Sequence, residues 1–425
     1  MNRKTTEGIL SDQTLFNCLI LRIIVVYALT FIIFGFFLSS PSEIFKGLLR
    51  IITTRDALIT DYMGVGGVGA ALVNAGLLTC FACALYRLNR ASISGASIAS
   101  LFLVLGFGLF GKNLLNVWPI IAGVFLYAKF RKEPFSAHIN VACFGGALAP
   151  IFSEILYSTY LPFKVSIPLA LFTALLLGFI LSPVASQLFK THDGFNLYNI
   201  GFTAGVTGSL VVALYKSYGF VPDPVMIWTS DNRGILTVFL ATLFLSMPIV
   251  GLVLDPRALR QLSVLVKLSG QAPTDFVAVV GLGATLVNMG LCGLLGLTYL
   301  LVIQAALNGP TIGAILTMVG FAAFGKHPLN IAPIMAGVFL GSLAKPWHFD
   351  EPAIVLATLF GTTLAPIAGR FGALWGIVAG FLHSSLALTV GFNHGGLNLY
   401  NNGFAAGIVA AVMVPVIIAL KPSRC

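Results

Sequence analysis

Long apolar runs, cut at intervals by short polar clusters, dominate the pattern along this chain. The runs repeatedly reach the ~20 residues needed to cross a ~30 Å hydrocarbon core. They are too long and too continuous for barrel strands, which alternate over about 10 residues. Helices pair their own backbone N–H and C=O groups, so the pattern predicts an all-α polytopic membrane protein. Seven helical elements are expected in the first half: 18–39, 62–88, 92–111, 115–130, 139–157, 165–189 and 198–215. Seven more follow in the second: 235–253, 276–302, 307–325, 329–344, 353–369, 371–390 and 400–420. Amphipathic stretches at 43–59 and 256–270 fit helices lying in the interface plane, or plain connectors. The fifth element of each half is short, rich in Gly and Ala, and ends at Ala-Pro, so re-entry is an alternative to crossing.

The polar clusters occur twice. DYMGVGGVGAALVNAGL (61–77) returns as DFVAVVGLGATLVNMGL (275–291). GFGLFGKNLLNVWPIIAGVFL (106–126) returns as GFAAFGKHPLNIAPIMAGVFL (320–340). FGGALAP (144–150) and HDGFNLYNIGFTAG (192–205) return as FGTTLAP (360–366) and HGGLNLYNNGFAAG (394–407). Four blocks in one order indicate a duplicated and fused half, with repeats at 1–216 and 235–425 and a connecting loop at 217–234. In a membrane chain this organisation points to a pathway between the halves.

Composition supports a lipid environment. Hydrophobic residues make up 58% of the chain and charged residues 9%, with mean hydropathy +0.97. A soluble domain carries roughly 25% charged residues. The first apolar segment is too long for a signal peptide, lacks a small-residue cleavage site, and reads as a retained helix. The net charge of +10 sits in short loops, where it sets orientation and implies no nucleic-acid partner. With the N-terminus inside, Lys345 is the only basic residue of the second half on the outer side. If seven elements cross, the halves are inverted, as the loop charges favour; if the fifth re-enters, they are parallel.

Enzymatic machinery is not expected. No Walker A motif, HExxH, dense carboxylate cluster or nucleophile–base arrangement stands out, and no metal or cofactor is implied. Cys80 and Cys83 form a CxxC inside an apolar helix, where small-residue packing explains them.

Three polar pairs survive duplication and are the candidate substrate-binding residues, since polar groups at membrane depth are costly. Asn74 and Asn288 sit inside LVNxGL; they line a path or bond a neighbouring helix. Lys112 with Asn116, and Lys326 with Asn330, occupy breaks where a lysine holds an anionic group or snorkels from a turn. His192, Asn196, Tyr198 and Asn199 recur as His394, Asn398, Tyr400 and Asn401. A turn does not need His, two Asn and Tyr together, so this array suits a pathway-lining hairpin. Glu154 and Arg370 are equivalent positions; inversion would place them at opposite surfaces as interfacial charges.

The FGKxxLNxxP, FGxxLAP and HxGxNLYNxGFxAG blocks resemble those of a family of bacterial multi-pass membrane proteins of unknown function. That resemblance implies a two-repeat bacterial membrane protein and supplies no substrate. LVNMGLCGLLGL (286–297) and the NLYNxGF blocks are also similar in style to urea transporters, whose signature pore motif is not clearly present. The expected function is a secondary transporter or facilitator of the bacterial inner membrane, moving a small polar or anionic solute between the repeats. A urea-transporter-like passive channel and a non-transporting scaffold are the alternatives. Its expected partners are the bilayer and the solute; a homo-oligomer is left open.

Overall fold

The computed structural model describes residues 3–222 and 225–420, and their regular elements are all helices. The first half folds as α1 (Arg3–Leu38), α2 (Pro41–Thr53), α3 (Tyr62–Gly66), α4 (Val68–Leu88), α5 (Gly95–Phe107), α6 (Val117–Arg131), α7 (Ile139–Gly145), α8 (Ala149–Leu156), α9 (Phe163–His192) and α10 (Asn199–Ser217). The second half folds as α11 (Arg233–Leu254), α12 (Ala258–Leu265), α13 (Phe276–Val302), α14 (Gly309–Phe321), α15 (Pro328–Ala344), α16 (Pro352–Gly361), α17 (Ala365–Phe371), α18 (Ala373–Thr389) and α19 (Asn401–Leu420). Ten runs among the described residues are long and apolar enough to cross a membrane. They are α1, α4, α7 with α8, α9 and α10, and their counterparts α11, α13, α16 with α17, α18 and α19.

The fifth element is a crossing run: short 3-10 turns at Gly146–Leu148 and Thr362–Leu364 interrupt it without reversing it. The pair that enters and returns is α5 with α6. Tyr86, near the end of α4, bonds Ser100 of α5 at 2.7 Å and also Asn140 at the start of α7. The starts of α5 and α7 therefore share one level. Lys112, in the break after α5, lies against Gly146, midway along the fifth element. From there α6 runs back, with Trp118 beside Phe81 of α4 at a centroid distance of 6.0 Å. The expected helix 92–111 thus stops at Phe107, because Gly108, Gly111 and the polar Lys-Asn pair end it inside the bundle. The expected helix 62–88 is also broken, at Gly67 (φ +90°), and the same break recurs at Gly281 (φ +82°). Such backbone is open to glycine and strained for other residues.

Equivalent helices of the two halves meet antiparallel. A Cβ on Gly95 would stand 2.2 Å from Ala323 O, and one on Gly309 would stand 2.3 Å from Leu109 O. Gly106 faces Gly313, and Gly320 faces Ala99. α5 and α14 therefore run in opposite directions about a two-fold axis that crosses them. Between α1 and α11, Tyr27 Oη lies 3.3 Å from Ser246 Oγ while Phe34 stacks on Phe239 at 4.2 Å. That is again the antiparallel sense. Five crossings per half is an odd number, so the second half is inverted, as the loop charges favoured. Apart from Lys112 and Lys326, now inside the bundle, the described loops alternate between the two ends of the bundle as the charge pattern expects.

The described part of the connector 217–234 is partly packed: Asp61 N donates to Ile227 O at 3.1 Å and Ile227 N to Ile59 O at 2.8 Å. Glu154 lies near the end of its crossing run, as expected, but does not face outward. It is buried, 3.7 Å from Arg55, while Arg370 is exposed.

Candidate functional site

After α9 the chain turns at Asp193 (φ 45°) and Gly194 (φ 74°) and runs into the other half. Leu197 N donates to Thr363 O at 3.1 Å, and in return Leu399 N donates to Ala147 O at 3.0 Å. Each NLYN segment thus occupies the 3-10 turn of the opposite repeat, where a broken helix leaves carbonyls to satisfy. Asn196 Nδ2 donates to Gly403 O at 3.0 Å, and Asn398 Nδ2 to Gly201 O at 3.2 Å. The histidines brace these segments. His192 Nε2 donates to Asn199 Oδ1 at 3.0 Å, and Asn199 Nδ2 donates to Ala185 O at 3.0 Å. His394 and Asn401 repeat the arrangement at 3.0 Å, with Ala387 O as the final acceptor at 2.6 Å. Because each amide nitrogen is committed to a carbonyl, its oxygen faces the imidazole.

The crossing segments place two tyrosines at the axis. Tyr198 and Tyr400 have ring centroids 5.0 Å apart. Phe321 lies 4.6 Å from Tyr198, and its counterpart Phe107 lies 4.9 Å from Tyr400. Phe144 and Phe360 close the group against Phe321 and Phe107. This aromatic septum is flanked by Lys326, 0% exposed, and Lys112, 1% exposed. Lys326 Nζ donates to Tyr198 Oη at 2.6 Å and to Thr362 Oγ1 at 2.8 Å. Lys112 Nζ donates instead to Cys143 O at 3.1 Å, and Tyr400 Oη has no hydrogen-bond partner among the described residues. Gly146 replaces Thr362 on that side, which removes one acceptor.

Two chambers flank the septum. The first, of ≈ 210 Å³, is lined by Phe144, Phe189, Leu197, Asn199, Ala272 and Phe324, among others. The second, of ≈ 110 Å³, is lined by the counterparts Phe360, Gly391, Leu399, Asn401, Leu58 and Phe110. Their mouths differ. At the first, Ala272 N donates to Gly194 O at 3.1 Å and Gln271 Nε2 to Asp193 O at 2.7 Å. At the second, the equivalent residues Leu58 and Gly396 line an open recess of ≈ 450 Å³ that also touches Ile59, Leu388 and Gly391. The two-fold is thus broken in one direction.

Of the residues singled out from sequence, Asn196, Tyr198, Asn199, Tyr400 and Asn401 line a chamber. Lys326 meets Tyr198 across the halves. Asn74 and Asn288 lie elsewhere. Asn74 Nδ2 holds Gly108 O at 2.6 Å and Lys112 O at 2.9 Å, and Asn288 Nδ2 holds Ala322 O at 2.8 Å and Lys326 O at 2.7 Å. These amides tie the hairpin break to the crossing helix. Asn116 and Asn330 close the same breaks through Gly111 O at 3.0 Å and Gly325 O at 2.9 Å.

Comparing the copies missed one cluster because only the first half has it. Asp56 is fully buried between α2 and α3. Its Oδ1 accepts from Tyr62 Oη at 2.8 Å, and its Oδ2 from Asn116 Nδ2 at 2.9 Å and Asn113 Nδ2 at 3.2 Å. Burial pushes the Asp56 carboxyl up to about 7, against the opposing bonds from Ser153, Tyr62 and Asn116, and the Glu154 charge adds to the rise.

A family model described as "Protein of unknown function (DUF1576)" matches residues 40–217 and 254–419, and the chain belongs to that family. No curated protein and no solved structure matches the chain, and the similarity to urea transporters is not shown.

Proposed function

We propose that this member of a family of unknown function is a secondary transporter or facilitator of the bacterial inner membrane. It moves a small polar or anionic solute along the axis between its halves. The observation that carries this reading is the pair of equivalent chambers on either side of one aromatic septum, with one mouth bridged by hydrogen bonds and the other widening into a recess. Inverted repeats give a protein two such arrangements, related by exchanging the roles of the halves. With the N-terminus inside, the open recess faces outward. The solute class follows from Lys112 and Lys326, which are buried without a carboxylate within 4 Å among the described residues. A buried amine without a counter-charge favours the neutral form and would take up a proton together with an arriving anion. The protein acts on no covalent bond in this reading.

Reconstituted protein, screened with radiolabelled small anions and neutral polar solutes, tests the proposal. Saturable uptake that is lost in a Lys112→Met, Lys326→Met double variant supports it. Non-saturating flux would favour a passive channel. If the folded protein moved none of the solutes, the transport reading would fall in favour of a scaffold.

A further inference from the structure

We propose that Asp56 is a proton-binding site whose occupancy sets the position of the chamber wall that follows it. Its role as a coupling site rests on the transport reading above. Binding a proton does not.

The geometry separates a proton from a metal ion. Among the described residues, the carboxylate accepts hydrogen bonds from N–H and O–H donors, and its one acidic neighbour, Glu154, is paired with Arg55. Asn113 Oδ1 is turned to Leu115 N and Asn116 N, each at 2.9 Å, and Asn116 Oδ1 accepts from Asn113 N at 2.9 Å. A hard cation requires six or more oxygens converging on it, and here the amide oxygens point away. A proton requires only the carboxylate.

The cluster is not a requirement of the fold. Its members Asp56, Tyr62, Asn113, Ser153 and Glu154 correspond to Gly270, Phe276, His327, Gly369 and Arg370 in the second half. The second hairpin closes around Gly270 instead, where a Cβ would stand 1.9 Å from Gly325 O. One backbone design thus works with and without the acid, and the first half carries a buried ionisable group beyond what its folding needs.

Protonation has a mechanical consequence. A proton on Oδ2 confronts two amide donors, and one on Oδ1 confronts the Tyr62 hydroxyl. In either case the ring of donors loses an acceptor, and a buried donor left unmatched is costly. The bonds that break connect the segment 54–61 to the hairpin break beside Lys112. Ala57, Leu58 and Ile59 of that segment line the outer recess, and Leu58 and Ile59 also line the second chamber. The groups facing Asp56 are Tyr62, Ser153, Glu154 with its Arg55, and Tyr157. The carboxyl titrates near neutrality, so modest pH differences across a membrane change its occupancy.

Two measurements on the full-length protein test this. Infrared titration should show the C=O stretch of a protonated carboxyl appearing as pH falls through about 7, and Asp56→Asn should remove that band. Tyr62→Phe, which deletes one donor to the carboxylate, should move the midpoint up by about one pH unit. The second reads maleimide modification of Leu58→Cys, resolved by peptide mass spectrometry. The rate relative to the same cysteine in an Asp56→Asn background should change at least threefold between pH 6 and 8, and thiol ionisation cancels in that ratio. A band that survives Asp56→Asn, or a ratio flat with pH, overturns the proposal. Solute flux that neither Asp56→Asn nor a pH gradient alters would overturn coupling and leave transport standing. An Asp56-dependent titration in a protein that moves no solute would leave the proton site and remove transport.

Discussion

Lys326 Nζ donates to Tyr198 Oη across 2.6 Å, joining the hairpin break of one half to the crossing segment of the other. The mirror contact, Lys112 with Tyr400, is not made: Lys112 turns to Cys143 O, and Tyr400 Oη is without a partner among the described residues. A buried hydrogen bond contributes roughly 0.5–1.5 kcal/mol. That bond is made on one side only of an otherwise symmetric septum.

Tyr198→Phe removes that bond and should loosen the closed mouth. Maleimide modification of Ala272→Cys should then accelerate by about tenfold, the factor that corresponds to roughly 1.4 kcal/mol. Tyr400→Phe removes a hydroxyl with no partner and should leave the rate within about twofold. Equal effects from the two substitutions would contradict the assigned asymmetry.

Asp56 should also be visible in stability. Its folded-state value of about 7 lies above the usual 3.8, so the native state binds its proton more tightly than the unfolded chain. Stability therefore falls as pH rises from about 4 to about 7, by an upper limit on the order of 4 kcal/mol. Thermal unfolding in detergent should show wild type losing more stability than Asp56→Asn between pH 5 and 8. Parallel pH profiles would mean that the carboxyl does not titrate in this window.

The crossing of α10 and α19 depends on missing side chains. A Cβ on Gly205 would stand 2.2 Å from Phe404 Cγ, and one on Gly407 would stand 2.3 Å from Phe202 Cδ2. Gly205→Ala should cost about 1–3 kcal/mol through overpacking. On the same helix, Gly208 has its nearest neighbour at 3.4 Å, and Gly208→Ala should be neutral or stabilising by up to about 1 kcal/mol. Detergent unfolding of the two variants side by side checks the contrast.

Asn74 holds two carbonyls of the break, so Asn74→Leu leaves both unsatisfied. A loss of about 2–5 kcal/mol is expected, with faster hydrogen exchange over 108–116. Native stability combined with altered solute affinity would instead return this amide to the solute path.

Much was legible without coordinates. The duplication and five of the seven expected crossings per half follow from repeated blocks and run lengths, and the loop charges favour the inverted sense that the fifth element left open. The NLYN block also stood out, since Asn196, Tyr198 and Asn199 line the first chamber. The failures have physical causes. α5 looked like a crossing helix because its apolar run continues into Leu109 and Phe110, yet glycines end it at Phe107. Asp56 carries no signal from the duplication, because Gly270 stands at the equivalent position.

Sequence by itself determined what lipid imposes: every spanning segment must satisfy its own backbone, so length and apolarity report the helices directly. Duplication then marked which polar residues to weigh. Only the tertiary structure decided what those residues touch, because several bonds at the centre join groups from different halves. Leu197 meets Thr363, Leu399 meets Ala147 and Lys326 meets Tyr198, at separations that no local pattern encodes. The inequality of the two mouths is likewise tertiary. The blocks at both mouths are similar, and packing selects which one closes.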